Sequence, residues 1–88
     1  MKLVFSSRAW SQYLLWQQED RKTLARLNAL LGECMRHPFR GTGRPEPLGG
    51  SLSGWWSRRI DREHRLVYRV TGKGEAQALE VAQCRYHY

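Results

Sequence analysis

Five residues of this chain carry groups that acid–base work on a phosphodiester could use. They are the carboxylate of Glu46, the guanidinium groups of Arg59 and Arg65, and the imidazole and phenol of His87 and Tyr88. In such chemistry one group takes the proton from a ribose 2′-hydroxyl as it attacks the neighbouring phosphorus. A second group protonates the departing 5′ oxygen, and each transfer is typically worth about 10²–10⁴-fold. Arginine stabilises the charge that builds on the phosphate oxygens, often the larger single contribution. His87 suits the acid role because an imidazole changes charge near neutral pH. The same arginines would also hold RNA with no chemistry at all, with Trp55, Tyr86 or Tyr88 stacking on unpaired bases. Spacing alone leaves both readings standing.

Glu46 lies between Pro45 and Pro47 in a stretch, residues 37–54, that holds five of the eight glycines and all three prolines. Each proline fixes its own φ, and Pro47 also restricts Glu46, so the backbone under this carboxylate is stiff. The stretch is too punctuated for a helix and too long for a simple turn, which predicts a loop or a short irregular strand. A carboxylate set rigidly on a basic protein can be a structural ion-pair partner or a catalytic base.

The element that must position the arginines is Gly54 to Val70, GWWSRRIDREHRLVYRV. Trp56, Ile60, Leu66, Tyr68 and Val70 alternate with polar Ser57, Arg59, Arg65 and Arg69, the period-2 pattern of a half-buried strand pair. Asp61-Arg62-Glu63 forms the turn between them. Placing Ile60 and Leu66 on one face requires an even pairing sum, which also puts Arg59 and Arg65 together on the other face. Two arginines side by side repel unless an anion sits between them; as a solvated basic face they would need no ligand. Arg58 breaks the alternation on the apolar side.

Around this pair, Leu3 to Phe5 reads as a short buried strand, and Ser6 or Ser7 as the cap of a helix to Gln17. That helix presents Trp10, Tyr13, Leu14 and Trp16 or Gln17 at three- and four-residue steps. Asp20 can cap a second helix whose stripe is Leu24, Leu27, Leu31 and Cys34, widened by Leu30 and Met35. It ends before Pro38. Thr71 to Glu75 is a turn by its glycines, and Ala78 to Cys84 is a further strand. The chain end, Arg85-Tyr86-His87-Tyr88, is dense in side chains that would be retained if they tucked into the sheet.

Eighty-eight residues form one domain, 1–88, with a modest core. The net charge of +7 points to an anionic partner: nucleic acid, an acidic protein segment or a membrane surface. Twelve of the fifteen basic residues are arginine, whose planar fork grips phosphate and carboxylate bidentately, which favours those two ligands. Cys34 and Cys84 lack metal or redox spacing and read as reduced, partly buried thiols of a cytoplasmic protein. Three scattered histidines without clustered carboxylates argue against a metal site. No stretch is long and apolar enough to span a membrane.

Taken jointly, four runs resemble the YoeB toxins of the RelE/ParE superfamily of bacterial toxin–antitoxin systems. They are Arg44-Pro45-Glu46-Pro47-Leu48, Leu52-Ser53-Gly54 with Trp56-Ser57-Arg58-Arg59-Ile60, Glu63-His64-Arg65-Leu66-Val67-Tyr68, and the closing Cys84-Arg85-Tyr86-His87-Tyr88. The opening Met1-Lys2-Leu3 and the segment Trp10 to Gln17 are similar too, so the likeness covers essentially the whole chain. It implies an α+β fold, a small mixed, mainly antiparallel sheet with two N-terminal helices on one face.

The implied function is a ribosome-dependent mRNA endonuclease without cofactor, held inactive by a YefM-like antitoxin, with room for a toxin homodimer and a toxin–antitoxin hetero-oligomer. Position by position, Glu46 would be the general base, Arg65 the phosphate-stabilising residue and His87 the general acid. Tyr88 would orient the substrate or the histidine, and Arg59 would support them. Arg58, Arg85, Trp55 and Tyr86 are expected to touch substrate. The chain departs from the family pattern at Gly49-Gly50, where relatives are bulkier or basic, and in a longer turn around Thr71 to Gln77. Two other classes compete: a protein-directed toxin like the gyrase-acting ParE branch, and a noncatalytic RNA-binding module.

Overall fold

Two side chains start the two helices. Ser6 Oγ accepts a hydrogen bond from the Ala9 amide at 3.0 Å and opens α1, Ser7–Glu19. Asp20 serves as the C-cap of α1 and the N-cap of α2, Arg21–Arg36, its carboxylate accepting from the Thr23 amide and hydroxyl. Each such cap is worth about 1 kcal/mol. The computed structural model describes residues 1–88.

Five strands follow and precede these helices: β1 Lys2–Phe5, β2 Glu46–Pro47, β3 Trp56–Arg59, β4 Arg65–Thr71 and β5 Ala78–Gln83. They form one sheet in the order β1-β5-β4-β3-β2, with β1 parallel to β5 and every other pair antiparallel. The mixed, mainly antiparallel sheet and the two helices are as expected. So are the start of α1, the bounds of α2 and the Asp61–Glu63 turn, which the Asp61 carboxylate closes by accepting from the Glu63 and His64 amides; α1 runs two residues past the expected Gln17, to the Asp20 cap.

The helices cover one face. Leu27, Leu30, Leu31 and Cys34 of α2 and Ala9 and Trp16 of α1 pack with Ile60, Leu66, Tyr68, Leu79 and Val81. Burying each leucine contributes about 2 kcal/mol relative to exposure. The stripe expected on α2 is the observed one. On α1 it is displaced: the buried positions are Ala9, Gln12 and Trp16, while Trp10 is 51% exposed. Gln12 is buried because its Oε1 accepts from the Cys84 amide at 2.8 Å, a contact no helical periodicity could announce. Trp10 instead stacks on Tyr13 at the rim, 5.8 Å between rings. Cys34 and Cys84 are free and buried, and burial pushes the Cys84 thiol up to about 12, so neither thiol is poised to react.

Arg58 corrects an expectation. It does not reach substrate: its side chain is 0% exposed and points into the helix-covered side. All five of its N–H groups are used, on the Tyr68 hydroxyl, the Glu33 carboxylate and the carbonyls of Thr42, His37 and Arg40. A charge can be buried when every donor is satisfied, which is why it interrupts the apolar series without exposing that face. Arg58 thereby pins the loop between α2 and β2.

Its partner Glu33 gives the fold a pH dependence. The Thr42 amide, 2.6 Å away, and then the Arg58 guanidinium hold the Glu33 carboxyl at about 2. The native value lies below the ordinary 4.5, so the stabilisation is complete above that pH and fades as pH falls from 4.5 towards 2. Asp20 and Glu80 are shifted in the same direction, by Thr23 and by Arg69 respectively. Urea midpoints measured from pH 7 to pH 3 should fall steeply, and less steeply in Glu33→Gln. An equal slope in both proteins would remove Glu33 from the account.

Candidate active site

The sheet's other face is not covered by helices, and its side chains are fixed by register. Directly paired residues share a face, so Glu46, Ser57, Val67 and Gln83 form one row across β2, β3, β4 and β5. Arg59 opposite Arg65 forms the next row towards the β3–β4 turn. On the other side, the register continues through Trp55 to Arg69 and Glu80, where the Arg69 guanidinium lies 4.4 Å over the Trp55 ring.

Glu46 is exposed on the short strand anticipated for its stretch. The loop before it is drawn against β3 by the Arg59 amide, which donates to the Gly43 carbonyl at 2.7 Å. Gly43 sits at φ +88, and a Cβ there would meet the Arg59 carbonyl at 3.0 Å, so the close approach needs glycine.

Of the eight acidic residues, Glu19, Glu33, Glu63 and Glu80 lie within ion-pair distance of a basic side chain. Asp20 and Asp61 cap backbone amides. Only Glu46 and Glu75 have no such engagement, and Glu75 belongs to the turn Gly74–Ala76. Glu46 is therefore not a structural ion-pair partner.

The arginine pair is equally free of carboxylates. Arg59 is exposed and its side chain makes no hydrogen bond. Arg65 folds over its own turn, Nη1 donating to the carbonyls of Asp61, Arg62 and His64 at 3.0–3.3 Å, which leaves Nη2 and Nε without a partner. Two cross-strand guanidinium groups with no anion of the protein between them form a site for an anion from outside.

The chain end closes the site from the β5 side. Cys84 leaves the sheet because helix α1 takes both its backbone groups: Gln12 accepts from its amide, and Trp16 Nε1 donates to its carbonyl at 2.7 Å. Tyr86 then adopts φ +67, and its carbonyl accepts from the Arg65 amide at 3.0 Å. This turn folds Tyr88 back over the sheet and leaves His87 beside it. The Tyr88 hydroxyl reaches to 3.4 Å from Ser57 Oγ, and the His87 ring stacks on that of Tyr88 at 4.9 Å with Nδ1 3.0 Å from the Tyr88 O.

Arg44 and Tyr86 are the two non-glycine residues with positive φ, at +54 and +67. They stand two residues before Glu46 and one before His87. Left-handed backbone costs about 1–2 kcal/mol per residue, and here the strain aims two candidate groups.

Of the five groups expected together, the structure brings Glu46, Arg59, Arg65 and Tyr88 to one surface and leaves His87 at its margin, stacked on Tyr88. Two further expectations need correction. Arg85 is not open to substrate: it stacks 4.4 Å over Trp16 and pairs with Glu19 at 2.7 Å, tying the tail to α1. Trp55 is half-buried with Arg69 across its ring, a row away from Ser57. Tyr86 is exposed, its ring against that of His64 and under the Arg85 guanidinium. Ser57, Gln83 and His64 were missed; Ser57 could have been found as the small polar member of the series that carries Arg59. No group of three or more His, Cys, Asp or Glu side chains is placed to hold a metal ion, and no helix is long and apolar enough to cross a membrane.

Residues 5–88 match the model of the YoeB-like toxin of bacterial type II toxin–antitoxin systems. The chain is 50% identical over 88 residues to Toxin YoeB of Escherichia coli K12, covering all of both proteins. It superposes on the YoeB/ParE toxin from Agrobacterium tumefaciens with a TM-score of 0.96 at 51% identity, again over the whole of both chains. Solved structures of YoeB from Staphylococcus aureus, 39% identical and covering 100% of this chain and 98% of that one, include a dimer with a TM-score of 0.88. They also include a heterotetrameric complex with YefM, with a TM-score of 0.87. With its fold and every strand of its open face matched along the full chain, this protein belongs to the YoeB-like toxins of bacterial type II toxin–antitoxin systems.

Proposed function

We propose that the protein cleaves mRNA in the ribosomal A site by transesterification, and that it is neutralised by a YefM-like antitoxin. The observation that carries this reading is a carboxylate without ion-pair partners, Glu46, on the same open face as the unpartnered arginine pair Arg59–Arg65 and the folded-back Tyr88, with His87 stacked on Tyr88 at the margin. Neither alternative accounts for it as well. A noncatalytic RNA-binding face gains nothing from an unpaired negative charge on the strand beside its arginines, and a protein-directed toxin has no use for an acid–base pair.

In this mechanism Glu46 takes the proton from the ribose 2′-hydroxyl, whose oxygen attacks the adjacent phosphorus. Arg65, released from its turn carbonyls, and Arg59 stabilise the charge that builds on the phosphate oxygens. His87 gives its proton to the departing 5′ oxygen, leaving a 2′,3′-cyclic phosphate and a free 5′-hydroxyl. Tyr88 holds the histidine by stacking. Domain 1–88 acts as one unit in the cytoplasm, where ribosomes are. Its charge of +7 speeds approach to ribosomal RNA, and binding should weaken steeply with salt. The antitoxin would present acidic residues to the arginine face, folding as it binds and raising the toxin's stability.

Attack by the 2′-hydroxyl makes a sharp prediction. A message with a single 2′-deoxynucleotide at the scissile position should resist cleavage in a purified translation system, while unmodified message yields fragments ending in 2′,3′-cyclic phosphate. Cleavage of the deoxy message at the same place would refute the mechanism.

A further inference from the structure

The segment bearing His87 and Tyr88 is held by a residue that has no part in the chemistry above. The Tyr86 amide donates to Nδ1 of His64 at 2.7 Å. His64 sits on the turn immediately before Arg65, and its ring stands edge-on to Trp16 at 4.8 Å and 88°. Trp16 in turn donates to the Cys84 carbonyl. The ring His64–Trp16–Cys84–Tyr86 is therefore closed, and it straddles the tail's departure from the sheet and its left-handed turn. On its other side Tyr86 is fixed by the Arg65 amide. Both backbone groups of Tyr86 are thus bound to adjacent residues, one of them an imidazole nitrogen that can accept only while it carries no proton.

We infer that His64 is the positioning residue of the active site: as the neutral Nε2–H tautomer it latches Tyr86, and protonation of Nδ1 releases the tail that carries His87 and Tyr88. This rests on the reading of His87 as the general acid. Protonation replaces an acceptor by a donor facing the Tyr86 N–H, so the bond is lost and two donors oppose each other. The charged groups around the ring are mixed. From its own turn, Glu63 lies 3.6 Å from Nε2, Asp61 accepts from the His64 amide, and the Arg65 guanidinium donates to its carbonyl. From the tail, Arg85 shares the Trp16 and Tyr86 rings with it, its charge answered by Glu19 of α1. Protonation of His64 would then lower cleavage by unlatching the tail, without touching the groups that carry the chemistry.

The test follows the tail directly and then the chemistry. In the 15N-labelled free protein, neutral His64 should show a protonated Nε2 and an accepting Nδ1. As acidification protonates His64, the Tyr86 amide should shift upfield and its exchange protection factor, taken against the intrinsic rate at each pH, should fall at least about tenfold, the loss expected for one hydrogen bond of this kind. His64→Phe keeps the ring contacts with Trp16 and removes the acceptor. It should free the Tyr86 amide at every pH and slow single-turnover cleavage about tenfold, with little change in ribosome affinity. His64→Asn offers Oδ1 near the Nδ1 position but cannot be protonated. It should stay within about threefold of the unmodified protein and show no pH step at Tyr86. An Nδ1–H tautomer, or a Tyr86 amide indifferent to the His64 titration, overturns the latch. So does unchanged cleavage by His64→Phe with its tail released. Should the unmodified protein cleave nothing, the acid–base reading fails, and the latch then stands or falls on the amide data alone.

Discussion

Glu46→Gln should lower the rate of mRNA cleavage by about 10²–10⁴-fold, the contribution of one proton transfer in the transition state. The substitution keeps the side chain's shape and removes its charge and basicity. The Glu46 side chain is exposed and makes no hydrogen bond or ion pair with the protein, so stability should change by no more than about 0.5 kcal/mol. RNA affinity should hold or rise, because a negative charge leaves a face with two unpaired arginines. A noncatalytic module predicts the same gain in affinity with no cleavage in either protein. Single-turnover rates with filter binding in parallel separate the two, and a rate within threefold of the unmodified protein would remove Glu46 from the base role.

Arg58→Met should have the largest effect on stability, a loss of about 3–5 kcal/mol. Methionine fills much of the same volume, so the loss is electrostatic. It strands the carbonyls of His37, Arg40 and Thr42 and leaves the Glu33 carboxylate with the Thr42 amide but no cation, where all four are now bound to one guanidinium. Desolvated acceptors left without a donor cost about 1–3 kcal/mol each, partly recovered where water enters. For a chain of this size the melting temperature should drop by about 15–30 °C. Arg58→Lys should recover little, because an ammonium has three donors and cannot span five acceptors in a plane. Residues 37–44 lead directly to Glu46, so cleavage by the surviving folded fraction should fall as well. Thermal melts followed by circular dichroism at pH 7 decide it. A drop below about 5 °C would mean that the buried guanidinium does not hold the loop.

The parts of the site that lie within one hairpin were legible in the sequence. The demand that Ile60 and Leu66 share a face fixes an even pairing sum, and Arg59 opposite Arg65 follows without any further contact. Two prolines around Glu46 announce a stiff carrier, and a two-residue strand is what forms there. The caps at Ser6 and Asp20 are local and were equally plain.

What could not be read depends on partners far along the chain. Arg58 stood out as a break on the apolar side, but its acceptors could not be read because they come from residues 33–42 and 68, brought together only when α2 packs on the sheet. The burial of Gln12 and Trp16 serves Cys84, about seventy positions later in the chain. Arg85 appeared to belong with the other arginines of the site, yet Trp16 and Glu19 claim it. Periodicity reports which face is wet; it does not report which polar group a distant backbone needs. His64 was hidden for the same reason, since a histidine between Glu63 and Arg65 shows nothing of the amide it will meet at Tyr86.

The most direct measurement maps the ends of an mRNA translated in a purified system with and without the protein, alongside Glu46→Gln, Arg65→Ala and His87→Gln. The account predicts cleavage at a defined place in the ribosomal A site by the unmodified protein, and its loss in all three variants with ribosome binding retained. Intact message in the presence of the unmodified protein, with growth still arrested in cells that express it, would contradict the account and direct attention to a protein target.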